Sequence, residues 1–370
     1  MMKLLKSLKA EWPLAVILVT AGLFLAFGAG WLADLSGAAR FALLSLWLLA
    51  AMFLASFSVV HHAEALAVKL GEPYGTLILT LVVIGIEVMV IAAVMYAGKG
   101  NATLARDAMM AVVMIVLNGM VGLSLIVGGL RHREQAYNLQ GANAFLAVIM
   151  PLAVLGLVLP NFTVSKAGPV LSPLQSGFLI FMSLVLYGVF LGIQTSRHPD
   201  YFVGPKVPVG GKSSDSGQAI RSIPFHSAML VVYVVPLVVL SKQIAVPINH
   251  AIHVLHAPAA LAGLLVSALI LSPESLSAVR AALANQLQRS VNLLLGSVLA
   301  SIGLTIPAVL AIGFLTGQTI VLGLDAIDSG LLILTLAVSM LTFTAARTNV
   351  LLGAVHLLLF LTYLLFIFER

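Results

Sequence analysis

The chain has 370 residues, of which 61% are hydrophobic and only 9% carry a formal charge. Soluble domains carry about 25% charged residues, so this composition excludes a water-soluble fold and indicates an integral membrane protein. The net charge of +6 includes no basic cluster interleaved with aromatic residues, which argues against nucleic acid as a partner, and the lack of cysteine excludes disulfides, thiolate metal sites and cysteine nucleophiles.

Apolar windows of about 20 residues predict roughly eleven transmembrane helices, because that length crosses a hydrocarbon core of about 30 Å. The first window follows Lys3, Lys6 and Lys9. We expect it to be a retained span, since it is longer than the apolar region of a cleaved signal peptide. The windows do not alternate in polarity, which excludes a β-barrel. The predicted spans are 13–33, 39–60, 75–97, 107–130, 141–160, 173–195, 225–247, 258–280, 289–314, 328–346 and 350–368.

The longest polar interruption, residues 197–222, is rich in Gly, Pro and Ser and predicts a flexible linker after the sixth span. It divides the chain into four segments. They are an N-terminal segment with the leading helix (1–36), a first transmembrane repeat (37–196), the linker (197–222) and a second transmembrane repeat (223–370).

The basic residues predict the orientation of the chain. With a cytoplasmic N-terminus, 13 of the 19 Lys and Arg residues fall on the inside and six on the outside. This bias favours a cytoplasmic N-terminus and linker and an extracytoplasmic C-terminus. The two sets of five helices then enter the membrane in opposite directions. The predicted fold is therefore all-α, with one leading helix and two inverted five-helix repeats, a design typical of secondary transporters.

Two acidic residues, Glu87 and Glu274, lie inside strongly apolar stretches, whereas the other eleven of the 13 can be placed at span ends, loops or termini. A carboxylate in a bilayer is rare unless it has a function. A shift of 187 residues places Glu87 on Glu274 and Thr80 on Ser267, two helical turns earlier. The pair predicts a site that binds a cation when ionised and a proton when not. The alternative is a glutamate that only ties helices together.

Pro273 directly precedes Glu274 and is predicted to free the carbonyl of Leu269, because proline has no backbone N–H. Freed carbonyls are typical cation ligands in transporters, and Ser272 and Ser275 add hydroxyl oxygens beside them. The alternative for Glu274 is a position near a helix end.

Three further residues are candidates for a supporting role. Gly296 and Ser297 form a small-residue face that predicts close approach of a neighbouring helix. At such a close approach their backbone atoms could also contribute to the site. Asn118 lies in the middle of a span and is either an amide ligand for a dehydrated ion or an interhelical hydrogen-bonding residue.

His61, His62 and Glu64 follow the second predicted span, and together with Glu72 they form a candidate proton path. The alternative is a set of solvated side chains at the membrane edge. Nucleotide-binding, potassium-filter and HExxH motifs are missing from the sequence, and no soluble cofactor is predicted.

Three motifs resemble the cation/proton antiporters of the Ca²⁺:cation antiporter superfamily, including its calcium/proton exchangers and its bacterial sodium–potassium/calcium–proton antiporters. They are GEPYGTLIL, LSPESLSAV with NQLQRSVNLLLGSVLASIGLTIP, and RTNVL with AVHL. The resemblance runs from about the second span to the C-terminus. It implies the same repeat fold, and the central acidic residues of the family fall on Glu87 and Glu274. Ile84 and Leu271 stand where calcium/proton exchangers carry an amide, which argues against high-affinity Ca²⁺ selectivity.

The predicted function is exchange of cytoplasmic Ca²⁺, Na⁺ or K⁺ for external protons by a multi-pass protein of a bacterial inner membrane. The expected partners are inorganic cations, protons and the lipid bilayer, and homo-oligomerisation stays open. One alternative is a cation channel or uniporter without proton coupling. Another is an intramembrane enzyme or an assembly subunit.

Overall fold

The computed structural model describes residues 11–71, 74–97, 102–204, 221–345 and 347–369. These ranges form thirteen α-helices and one two-stranded antiparallel sheet of β1 (Gln135–Ala136) and β2 (Arg347–Thr348). The helices are α1 (Trp12–Leu32), α2 (Ala38–Leu70), α3 (Tyr74–Ala97), α4 (Leu104–Val113), α5 (Val121–His132), α6 (Leu139–Ala153), α7 (Pro173–Gly192), α8 (Ile223–His253), α9 (Ala260–Leu283), α10 (Leu287–Ala300), α11 (Ile306–Thr316), α12 (Ala326–Thr342) and α13 (Val350–Phe368).

Ten helical stretches in the described ranges are long and apolar enough to cross a membrane, by length and composition. An eleventh, α12, is apolar but shorter. Some stretches join two α-helices, since α4 and α5 are continuous through a π-helical segment, as are α10 and α11. The predicted all-α membrane fold with about eleven spans is confirmed.

The second span is longer than the sequence windows indicated. Helix α2 continues to Leu70 and ends at Gly71, whose positive φ of 67° suits only glycine and whose N–H bonds the carbonyl of Ala67. Residues 61–70 contain neither Gly nor Pro, so nothing stops the helix earlier. His61, His62 and Glu64 therefore belong to the helix rather than following it, which corrects our expectation.

The two halves of the chain share several elements at one constant offset in sequence. Two of the π-helical segments, Met114–Met120 and Ser301–Thr305, begin 187 residues apart, the offset that also separates Glu87 from Glu274. Helices α6 and α12 start at the same offset, and α3 and α9 start one residue short of it. The repeat is therefore visible in irregular as well as regular structure. Such π segments often occur at functional sites.

The chain forms two compact units, each built from both halves of the sequence. The first unit contains Met1–Asn101 and Ile220–Pro273, and the second contains Ala102–Ala219 and Glu274–Arg370. The units are groups of residues in contact, whereas the four predicted segments are continuous in sequence. The boundaries of the segments therefore stay a prediction. Of the predicted linker, residues 205–220 lie outside the described ranges.

In the first unit, polar contacts mark two ends. At one end the Glu11 carboxylate, just before α1, lies 3.7 Å from Arg221, just before α8. At the other end Arg40 of α2 donates a 3.1 Å hydrogen bond to the carbonyl of Gly30 on α1. The start of α1 and the start of α8 therefore share one end of this unit.

In the second unit, the connections also sort into two groups. One group is joined by the β1–β2 pair and by a 2.8 Å hydrogen bond from Gln135 Nε2 to the carbonyl of Ala282. The other is joined by the backbone bond from Val321 to Ala102, at 3.0 Å, and by that from Leu324 to Leu157, at 2.8 Å. These are the groups that the predicted alternating path places on opposite sides of a membrane.

Candidate cation and proton site

Glu87 lies in the middle of α3, in the first unit, and its side chain is buried, with 2% relative exposure. On the same helix, Val83 and Ile84 one turn before it and Val90 and Ile91 one turn after it are also buried. An ionised carboxylate among apolar groups is unfavourable unless a cation, a proton or polar groups compensate it. This position therefore suits a group that exchanges a cation for a proton.

Glu274 lies on α9 and opens the second unit. The Ser297 hydroxyl of α10 donates a hydrogen bond to Glu274 Oε2. The sequence indicated Ser297 mainly as a small residue for close packing. The structure adds that its side chain is a direct partner of the carboxylate, while Gly296 beside it is half-buried. A hydroxyl serves either state of a carboxyl, because it can donate to the anion and accept from the acid.

The remaining predicted oxygen ligands of α9 are close to Glu274 in sequence. Pro273 lies inside the helix, and the Ser272 hydroxyl donates a 2.8 Å hydrogen bond to the carbonyl of Leu269. One of the two lone pairs of that carbonyl is therefore engaged within the helix. Ser267 and Ser275 are buried, whereas Thr80 on α3 is half-buried. The roles of these residues as ligands stay predictions.

Asn118 is fully buried in the second unit, within the π-helical segment Met114–Met120. Its Nδ2 donates to Thr335 Oγ1 on α12 at 2.8 Å, and its Oδ1 lies 3.1 Å from His356 Nδ1 on α13. The other ring nitrogen of His356, Nε2, lies 2.9 Å from Thr342 Oγ1. Asn118 thus joins three stretches of helix, which favours the interhelical interpretation and leaves one lone pair of Oδ1 for an ion.

His356 is a buried polar residue that the sequence reasoning missed. Because Asn118 uses its amide N–H toward Thr335, its Oδ1 is the acceptor, and His356 Nδ1 carries the proton that it accepts. His356 Nε2 then accepts from the Thr342 hydroxyl. One histidine in an apolar span forms no motif. The signal available was its place on a helix with no other charged or titratable residue between Asn349 and Tyr363.

The residues of the candidate proton path differ in their surroundings on α2. His62 is buried, with Nδ1 2.9 Å from His226 Nδ1 on α8 and Nε2 3.4 Å from the Glu11 carboxylate. His61 and Glu64 are exposed, and Glu72 lies outside the described residues. His226 and Glu11 were not predicted, because they are far from His62 in sequence.

Across the described residues, no group of three or more His, Asp and Glu side chains is arranged to hold a metal ion. Hard cations prefer oxygen ligands, which carboxylates, hydroxyls, amides and carbonyls supply.

These features together define a multi-pass membrane transporter whose halves repeat, with one carboxylate in each half at the repeat-equivalent position. The family model described as sodium/calcium exchanger protein matches residues 40–196 and 226–369. The chain belongs to this family.

Two curated relatives are similar over most of their length. The chain is 43% identical over 312 residues to y4hA of Sinorhizobium fredii (strain NBRC 101917 / NGR234), which carries the name of an ionic transporter, with 84% of each chain covered. It is 40% identical over 320 residues to the sodium-potassium/proton antiporter ChaA of Escherichia coli (strain K12), with 85% of each covered.

Solved structures share the fold. Native YfkE matches with a TM-score of 0.73 at 15% identity, covering 96% of this chain and 99% of that one. The H⁺/Ca²⁺ exchanger CAX matches with a TM-score of 0.65 at 18% identity, covering 96% of this chain and 88% of that one. Together with the family match and the two relatives, these structures confirm the resemblance to the Ca²⁺:cation antiporter superfamily, and the family points to a cation exchanger of the membrane.

Proposed function

We propose that the protein exchanges cytoplasmic Ca²⁺, Na⁺ or K⁺ for external protons, with Glu87 and Glu274 alternately binding the cation and the proton. The observation that carries this proposal is the pair of carboxylates in apolar helices, 187 residues apart, in a chain whose elements repeat at that offset. The relatives support proton coupling, since ChaA is named as a sodium-potassium/proton antiporter and CAX as an H⁺/Ca²⁺ exchanger.

The chemistry follows from the two states of a carboxyl group in an apolar setting. Deprotonated Glu87 and Glu274 attract a cation that enters from the cytoplasm, and the ion compensates the buried negative charge. On the external side protons displace the ion. The neutral acids then return across the low-dielectric region, because an uncharged carboxyl is far less costly there than a carboxylate.

The hydrogen-bond partner of Glu274 is suited to both the binding of the cation and the binding of the proton. Ser297 donates to the ionised carboxylate, and after protonation its oxygen accepts from the carboxyl O–H by rotating the hydroxyl. Ser272, Ser275, Thr80, Ser267 and Asn118 are proposed as further neutral oxygens for the dehydrated ion. The apolar Ile84 and Leu271 weaken a Ca²⁺ site, since Ca²⁺ takes six to eight oxygen ligands.

We further propose a bacterial inner membrane location, with the N-terminus in the cytoplasm and the C-terminus outside. The bias of 13 basic residues to six supports this orientation. The sorting of the connections into two groups in the second unit fits the same alternating path. The test is a fusion of the C-terminus to a reporter that functions only in the cytoplasm. Activity of this reporter would overturn the proposed orientation.

The test is transport by the purified protein in proteoliposomes with an imposed pH gradient, using Na⁺, K⁺ and Ca²⁺ in turn. An antiporter accumulates the cation on the acidic side, against its own gradient and with the membrane potential clamped. A channel or uniporter conducts under the clamp but accumulates nothing. Absence of flux with all three cations would favour the enzyme or assembly-subunit alternative.

A further inference from the structure

We propose that His62 and His226 form a second proton-binding site, separate from the two glutamates, which slows exchange when the cytoplasmic side becomes acidic. The effect on exchange rests on the proposed function. The proton site itself does not.

The site is a buried contact between α2 and α8 in the first unit. His62 Nδ1 and His226 Nδ1 lie 2.9 Å apart, and the two residues are 1% and 5% exposed. His62 Nε2 lies 3.4 Å from Glu11 Oε2, and Tyr233 of α8 donates a 3.0 Å hydrogen bond to the same oxygen. Two imidazoles at this separation must share one hydrogen between their facing nitrogens.

The hydrogen bonds define how many protons the pair holds. If His62 Nε2 donates to Glu11, neutral His62 presents a lone pair at Nδ1, and His226 Nδ1 donates to it. His226 Nε2 is then a bare acceptor, and it is buried without a hydrogen-bond partner among the described residues. One further proton has a place at Nε2. When both rings are cations, both Nδ1 atoms carry hydrogens that point at each other.

Charged groups on α2 and just before α1 and α8 act on this pair. Glu11 precedes α1 and favours protonation, whereas Arg221, which precedes α8 and lies 3.7 Å from Glu11, opposes it. On α2, His61 and Lys69 also act on the pair as positive charges, and exposed Glu64 lies two residues beyond His62. The Glu11 carboxylate, which Arg221 also approaches, can therefore offset at most the first added proton.

The mechanical consequence falls on the α2–α8 contact. Like charges in contact within a weakly solvated site repel strongly, so double protonation drives the two helices apart at this end. An unperturbed histidine changes charge between about pH 5 and 8, and because the two cations repel each other, the doubly protonated state forms at the acid end of this range. Because the proposed exchange brings protons in, such a site would limit acidification of the cytoplasm.

The first experiment measures exchange in proteoliposomes while only the pH at the cytoplasmic face is varied. Exchange by the unmodified protein should fall on acidification. We expect His226→Gln and His62→Gln each to shift this acid limb by at least one pH unit toward lower pH. His253→Gln is the matched control, because it removes an exposed imidazole at the other end of α8.

Two charge variants test the sign. Glu11→Gln removes the negative charge that favours protonation and should move the acid limb to lower pH. Arg221→Gln removes a positive charge and should move it to higher pH. Superimposable profiles for all four variants, or shifts of Glu11→Gln and Arg221→Gln in the same direction, would overturn the proposal.

A second measurement does not depend on transport. The chain has no cysteine, so spin labels can be attached to cysteines introduced at Val68 on α2 and Val231 on α8, which are 68% and 64% exposed. The distance between the labels should increase reversibly as the pH falls from 8 to about 5. The same change should be missing with His226→Gln. A distance that is independent of pH in the labelled protein would refute the site, even if exchange is proton-coupled as proposed.

Discussion

The two candidate glutamates occupy equivalent positions in the repeat but different local surroundings. Glu87 is 2% exposed, and the residues one turn away on α3 are buried and apolar. Glu274 is half-buried, follows a proline, has serines on both sides and accepts a hydrogen bond from Ser297. Hydroxyl groups are thus concentrated in the second half, although both halves place one carboxylate at the same point.

This difference shows that a repeated fold need not repeat the sequence or the exposure around its charged groups. An ionised Glu274 is stabilised in part by a fixed protein donor. Glu87 lies on a helix whose nearest turns supply no polar side chain, so any polar partner of its carboxyl comes from another element or from a bound ion. We therefore expect substitutions of the carboxylates to have the largest effects and changes to the surrounding hydroxyls to have graded ones.

Removal of either ionisable group should have the largest effect. Glu87→Gln and Glu274→Gln are each expected to abolish proton-coupled exchange in proteoliposomes, because glutamine keeps the shape but neither ionises nor carries a proton. The protein should stay folded, since a buried charge is removed. Glu→Asp at either position should retain partial activity, and Glu64→Gln is the exposed control. Near-normal exchange by Glu274→Gln would leave Glu87 as the only carrier.

Ser297→Ala should weaken cation binding without abolishing exchange. A hydrogen bond to a charged group contributes about 1.5–3 kcal/mol, so the apparent cation affinity should fall about tenfold or more, as measured by the cation concentration at half-maximal flux. Loss of the donor also favours the protonated acid, so more alkaline conditions should be needed for the same flux. Ser297→Thr keeps the hydroxyl and should behave like the unmodified protein. Equal affinities for the Ala and Thr variants would contradict this assignment.

Asn118→Ala should act mainly on stability. It removes the amide between Thr335 and His356 and leaves buried polar atoms unsatisfied, at a cost of about 1–3 kcal/mol. Thermal unfolding in detergent should show this loss. Thr362→Ala is the control, because that half-buried hydroxyl bonds the carbonyl of Leu358 on its own helix. Unchanged stability combined with lost exchange would assign the amide to the cation instead.

Gly85→Ser should have the smallest effect. Gly85 is equivalent to Ser272 at the 187-residue offset, and a Cβ added there would have no atom of the described residues within 4 Å apart from the neighbouring helix backbone. The substitution gives α3 the serine that α9 carries two residues before its glutamate, and we expect near-normal flux. By contrast, a Cβ at Gly122 would lie 2.8 Å from the backbone nitrogen of Leu357, so Gly122→Ala should destabilise the α5–α13 contact. A strong loss of flux with Gly85→Ser would show that α3 is more closely packed at Gly85 than the free space there indicates.

Much of the fold could be predicted from the sequence, because membrane helices are long, uniform in hydropathy and bounded by polar residues. The predicted span 13–33 corresponds to Trp12–Leu32, and 350–368 to Val350–Phe368. The full length of α2 could not be predicted by hydropathy, since its last turns include His61, His62, Glu64 and Lys69 and are nevertheless helical. The π-helical segments also escaped, because Met114–Met120 and its neighbours are equally apolar in either helical form.

The candidate site was only partly predictable. Glu87 and Glu274 could be identified because carboxylates in apolar runs are rare. The partnerships were not predictable, since Ser297 meets Glu274 from another helix and His226 meets His62 across 164 positions of sequence. Such pairs depend on how the helices pack, and local sequence patterns do not specify that packing.

The most direct test of the account is the release of protons when a cation binds to the purified protein. A saturating amount of Na⁺, K⁺ or Ca²⁺ would be added in weakly buffered detergent solution that contains a pH indicator. The account predicts that at least one of these cations displaces protons from the unmodified protein, and that Glu87→Gln and Glu274→Gln each release fewer. Cation binding without proton release, or undiminished release from both variants, would contradict alternate binding by the two glutamates.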